Sequence, residues 1–181
     1  MKVKSIFTWI VIPLTALSFQ VNAQEMKLLH ENEISEAAII DALAPEKSGR
    51  TRSFRPMDDQ LNPVANQPAN ASLLITFNTN SADLTYGAKQ ALDKVGRALN
   101  MDKLAEFSFV IEGHTDLSGS YQLNQRLSKA RAETVMHYLV SVHGIEPSRL
   151  TASGKGYTEL MNKNNPLAPE NRRVTLFRIE K

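Results

Sequence analysis

Strands alternating with amphipathic helices beyond residue 71 predict an α/β (α+β) fold, a βαβαββ two-layer sandwich with a mixed sheet and its helices packed on one face. Two observations carry that prediction. Apolar residues recur three, four and seven positions apart over 84–100 and again over 121–143, and short runs of strand formers lie before, between and after these stretches. A third observation, the absence of any internal repeat, excludes solenoids and propellers.

Ser72–Phe77 is an apolar run that reads as the first strand, broken by Asn78-Thr79-Asn80-Ser81. Leu84, Ala88, Ala91, Leu92, Val95, Ala98 and Leu99 then share one helical face up to Asn100. Phe107–Ile111 is a second strand, stopped by Gly113. A long helix runs over 121–143 and ends at Gly144, a residue suited to a left-handed C-terminal cap. Leu150–Ser153 and Val174–Ile179 complete the set as strands.

The 181 residues are 42% hydrophobic and 22% charged, the composition of a globular chain. There is no cysteine, which excludes disulfide scaffolds, thiol catalysis, cysteine-ligated zinc and an N-terminal lipidated cysteine. The formal charge of +2 comes from Lys2 and Lys4; the remainder is neutral and has no global drive towards nucleic acid or an anionic membrane. Those lysines precede an apolar stretch, Ile6–Phe19, and the small residues of Val21-Asn22-Ala23. Residues 1–23 therefore read as a secretory signal peptide, too short and too interrupted by Pro13 to span a bilayer, so that the mature chain begins at Gln24 with no integral membrane span.

Residues 24–70 read as an N-terminal tail and linker. Ile34, Ala38, Ile39 and Leu43 give a short amphipathic helix, with Asn32 or Ser35 as its cap and Pro45 as its stop. Three arginines follow in 50–55, then a stretch rich in Pro and Asn. The 24–55 segment is either a docking element for an envelope partner or a tether.

The long helix carries an anomaly. At 100° per residue, Arg131 falls about 40° from Leu127 and about 40° from Val135, inside the apolar stripe that Leu123, Tyr138, Val142 and Leu139 extend. Asn124 shares that sector. A guanidinium there is costly to desolvate without a carboxylate, so Arg131 is either half of an internal ion pair or a ligand group. Asp116, where a strand ends before the helix, is the nearest candidate anion, and Ser118 and Ser120 are better placed as caps, leaving it free.

Enzyme motifs fail. Gly154-Lys155-Gly156-Tyr157-Thr158 lacks the spacing of a phosphate loop, and there is no G-x-S-x-G or H-E-x-x-H. His30, His114, His137 and His143 make no evident metal site, and His114 reads as hydrogen-bonded turn structure. The chain is read as a non-enzyme that carries no cofactor and no metal.

The blocks Ile111-Glu112-Gly113-His114-Thr115-Asp116, Gly119-Ser120, Leu123-Asn124, Leu127-Ser128-x-x-Arg131-Ala132, Gly144-Ile145 and Asn171-Arg172-Arg173-Val174 resemble the peptidoglycan-binding domain of the outer-membrane-protein-A C-terminal (OmpA-like) family. The resemblance covers 71–181. It implies a non-enzymatic anchor to the cell wall, in the periplasm and peripheral to the outer membrane, with Asp116 and Arg131 clamping the diaminopimelate of the peptide stem. It also implies that Asn124, Thr115, Asn78 and Arg173 line the same pocket. That ligand is a zwitterion, whose ammonium needs an anion and whose carboxylate needs a bidentate cation. The other reading is a membrane-anchored structural subunit of an envelope or secretion complex that retains its N-terminal segment. Because every block lies beyond Ala71, removal of 24–60 is expected to leave wall binding intact.

Overall fold

The computed structural model describes residues 28–44, 69–78 and 81–179. The segment read as a signal peptide and the arginine-rich stretch lie outside the described residues. Five strands and three helices follow in order: β1 (Leu28–His30), α1 (Glu36–Leu43), β2 (Asn70–Leu74), α2 (Tyr86–Leu99), β3 (Ser108–His114), α3 (Tyr121–His143), β4 (Leu150–Gly156) and β5 (Val174–Ile179). The strands form one mixed sheet in the order β1-β2-β5-β3-β4. The central β5 is antiparallel to both neighbours, while the outer pairs β1–β2 and β3–β4 are parallel.

Alternation along the strands sets two faces. Leu73, Phe109, Ile111, Leu176 and Val174 point to the helices and are fully buried with Leu92, Val95, Val135 and Leu139. Glu112, His114, Arg173 and Thr175 point the other way, as the pairings Glu112↔Thr175 and Gly113↔Val174 require. This is the two-layer arrangement the periodicities predict. All three helices have the N-caps their sequences offer: the hydroxyls of Ser35, Thr85 and Ser120 accept from Ala38, Ala88 and Leu123. Helix α3 ends on Gly144 at φ 63°, the left-handed cap.

Four departures from the sequence reading have physical causes. First, residues 28–44 are not a free tail. Leu28–His30 adds a parallel edge strand, and Leu29, Ile34, Ile39 and Leu43 are 5%, 1%, 0% and 0% exposed within the common core. The Arg178 guanidinium also donates to the Leu43 carbonyl at 2.8 Å. This part of the 24–55 segment is committed to the fold rather than presented to a partner. Second, β2 stops at Leu74 because the Thr76 N–H leaves the ladder for the Glu31 carboxylate at 2.8 Å.

Third, Gly113 does not end β3. A Cβ there would sit 2.1 Å from the Ser128 carbonyl oxygen, so the glycine is what lets α3 lie against the strand. Fourth, Leu123 and Val142, placed in the apolar stripe of α3, are 58% and 55% exposed. A helix of 23 residues is about 34 Å long and overhangs seven-residue strands that span about 23 Å.

Candidate functional site

The helix face of the sheet carries a polar group where β3 ends and α3 begins. Helix α3 buries Asn124, Ser128 and Arg131 on the same side as Ala132 and Val135. The Arg131 side chain is 9% exposed; its Nε donates to the Ser81 carbonyl at 3.1 Å, and its guanidinium carbon lies 4.8 Å from the centre of the Phe77 ring. Among the described residues no carboxylate forms an ion pair with it. Burial and the Arg172 charge push the Arg131 pKa down, and the nearby Asp116 charge pulls it back up. The internal-pair alternative therefore lacks its partner, although Asp116 is near enough to act on the guanidinium through space.

Asp116 is 7% exposed and is not free. Its Oδ2 accepts from Arg172 Nη1 at 2.8 Å, and its Oδ1 accepts from the backbone N–H of Ser118 at 3.0 Å and from the Ser118 hydroxyl. Burial raises the carboxyl pKa, but the Ser118 and Arg172 hydrogen bonds outweigh it and hold the group below its ordinary value of 3.8. The Asn124 amide donates to the Ser118 carbonyl and so fixes the 117–120 turn against α3. Thr115 is buried with its N–H on the Gly156 carbonyl at 2.8 Å, and its hydroxyl has no hydrogen-bond partner among the described residues. Asn78 is exposed in the turn that carries Phe77 and Ser81 towards Arg131; its carbonyl accepts from the Ser81 N–H at 3.1 Å.

Of the six residues named from sequence, Asp116, Arg131 and Asn124 are therefore brought together, while Thr115 and Asn78 are only chain neighbours of Asp116 and Phe77. Arg173 does not join them. It points to the helix-free face, where its Nη2 donates to the Glu159 carbonyl at 3.2 Å and, among the described residues, Nε and Nη1 have no partner. Arg172 stands in the site instead. Successive residues entering a strand point to opposite faces, so only one of two adjacent arginines can reach Asp116. The pairing of Val174 with Gly113 decides which. Phe77 and Ser81 also escaped the sequence reading, and only the break after the first strand hinted at a turn there.

His114 needs a second correction. It is 2% exposed, and neither ring nitrogen has a hydrogen-bond partner among the described residues, so they give it no hydrogen-bonded turn. Burial first, then the charges of Arg173 and Lys155, push its pKa down to about 3, which makes the imidazole neutral at neutral pH.

Chemically, the helix-face site offers one carboxylate and two guanidinium groups, one of them buried without an anion, beside an aromatic ring. That set matches a ligand carrying both a carboxylate and an ammonium.

A family model described as the OmpA family matches residues 76–173, which hold every site residue named above. Outer membrane protein A of Serratia marcescens is 38% identical over 90 residues, covering 50% of this chain and 25% of that protein. Outer membrane protein Omp38 of Acinetobacter baumannii is 36% identical over 123 residues, covering 62% of this chain and 33% of that protein. The chain thus spans a quarter to a third of the length of these relatives. Among solved structures, an outer membrane protein from Borrelia burgdorferi B31 is 25% identical with a TM-score of 0.52, covering 64% of this chain and 92% of that one. The periplasmic domain of Helicobacter pylori MotB shares the fold at 21% identity, with a TM-score of 0.53 over 62% of this chain and 76% of that one. With the predicted sandwich observed and the match running from just after β2 to just before β5, over more than half of the chain, the chain belongs to the OmpA family.

Proposed function

We propose that this chain binds peptidoglycan non-covalently through the diaminopimelate of the peptide stem and anchors an envelope protein or complex to the cell wall. Arg131 carries the reading: a buried guanidinium with no carboxylate partner among the described residues, in a domain of the OmpA family. Its two terminal nitrogens are the bidentate partner of the ligand carboxylate. Asp116 receives the ligand ammonium, which takes the place now held by Arg172 Nη1, and Arg172 swings to the carboxylate end. Asn124 holds the turn that orients Asp116. Such a site performs no bond making or breaking, and the protein acts as an anchor in the periplasm rather than as an enzyme. Among the described residues no helix is long and apolar enough to cross a membrane.

Pelleting of the purified protein with sacculi tests this. Walls containing diaminopimelate carry it down, and free diaminopimelate competes. Walls with lysine at the same stem position lack the carboxylate that Arg131 would hold and leave the protein in the supernatant. Equal pelleting with both walls would overturn the assignment.

A further inference from the structure

The helix-free face holds a second polar cluster that the wall-binding reading does not use. Glu112 and His114 are two apart on β3 and so point the same way, and Glu159 folds over them from the segment after β4. One ligand atom from each of the three lies within 4.8 Å of the others. Ligands around a tetrahedral ion at roughly 2.1 Å are about 3.4 Å apart. Glu159 is exposed, and a small movement of its side chain closes the difference.

Two further observations point to a ligand. The His114 ring is 2% exposed with both nitrogens unpartnered, a condition native interiors seldom carry without an ion or water to relieve it. The Lys155 ammonium already bridges the same two carboxylates, at 2.8 Å from Glu159 and 3.3 Å from Glu112. The position is therefore one that selects a cation. Lys155 sits on a flexible stem, 30% exposed, and can leave. A cleft of about 1400 Å³, lined in part by Glu159, Arg173, Leu160 and Met161, reaches the Glu159 side of the cluster.

We propose that Glu112, His114 and Glu159 form a binding site for a divalent transition-metal ion of the zinc class, which displaces the Lys155 ammonium and ties the 157–170 segment to β3. One imidazole with two carboxylates suits Zn²⁺, whereas magnesium and calcium prefer all-oxygen shells. The site lies on the opposite face from Asp116 and Arg131, and the ion stabilises the fold rather than taking part in wall binding.

The full chain, stripped with chelator, is titrated with Zn²⁺ by calorimetry and melted with and without the ion, with Mg²⁺ as a control. Wild type is expected to bind one Zn²⁺ saturably and to melt higher with it, and Mg²⁺ to do neither. Glu159→Gln, at an exposed position, abolishes both effects. Lys155→Met removes the competing charge and tightens Zn²⁺ binding by on the order of tenfold. Failure of both wild type and Lys155→Met to bind Zn²⁺ overturns the proposal. So does Zn²⁺ binding by Glu159→Gln at wild-type strength, which would assign the ion to His30, His137 or His143.

Discussion

Replacing Arg131 with leucine separates ligand binding from maintenance of the fold. Among the described residues Arg131 makes one hydrogen bond, to the Ser81 carbonyl at 3.1 Å, and one ring contact, to Phe77 at 4.8 Å. A charged donor of this kind contributes about 1.5–3 kcal/mol and the ring contact about 0.5–2 kcal/mol. Against them stand the several kcal/mol that a buried, unpaired guanidinium costs in lost hydration and the repulsion from Arg172. Leucine, between Leu127 and Val135, regains about 1.5–3 kcal/mol of apolar burial. The gains are at least as large as the losses, so Arg131→Leu is expected to melt no lower than wild type. Binding should not survive: removing one member of a desolvated charge pair costs about 2–5 kcal/mol, roughly 30- to several-thousand-fold in affinity. Thermal melts and sacculus pelleting on the same preparation measure both. Wild-type pelleting by the variant, or a loss of stability as large as the loss of binding, would refute the argument.

Five other outcomes follow from the same geometry. Asp116→Asn should abolish pelleting while leaving the secondary structure seen by circular dichroism unchanged. Because the folded pKa of Asp116 lies below 3.8, its stabilising contribution is fully present above about pH 4 and is lost as pH falls through the folded value; pelleting should be flat from pH 7 to about pH 4 and fail below, and a midpoint near pH 6 would point to another group. Gly113→Ala drives a Cβ to 2.1 Å from the Ser128 carbonyl and should cost about 1–3 kcal/mol in a denaturant titration. Ile39→Ala should cost about 2–5 kcal/mol, and deletion of 24–60 should lower the melting temperature sharply. That last outcome reverses the expectation that the wall-binding domain stands intact without 24–60, and a truncated protein melting like wild type would restore it.

What the sequence made legible was whatever depends on neighbours a few residues away. The bounds of α3, its Ser120 cap and its Gly144 stop are local, and so is the presence of Arg131 in an apolar stripe; the structure has all of them. What it hid depends on partners far along the chain. The Ile34–Leu43 pattern showed a helix but not a surface to bury it on, because that surface is supplied by β2 and α2, beyond the linker. Gly113 read as a strand breaker because glycine next to a polar turn usually is one; only the crossing of α3, 15 residues on, reveals that the missing Cβ is the point.

The arginine pair shows the limit most sharply. Asn171-Arg172-Arg173-Val174 states that two cations enter β5, and chemistry states that Asp116 can use one. Which one is a matter of parity, and parity is set by a pairing between Val174 and Gly113, 61 positions apart. A shift of one residue in that register would exchange the two side chains between the faces. Arg173 would then meet Asp116, and Arg172 would stand over Glu112, His114 and Glu159. The register thus assigns charge to both polar clusters at once. It places Arg172 on the Asp116 carboxylate, and Arg173 where its charge adds to the ring's own burial in keeping His114 neutral.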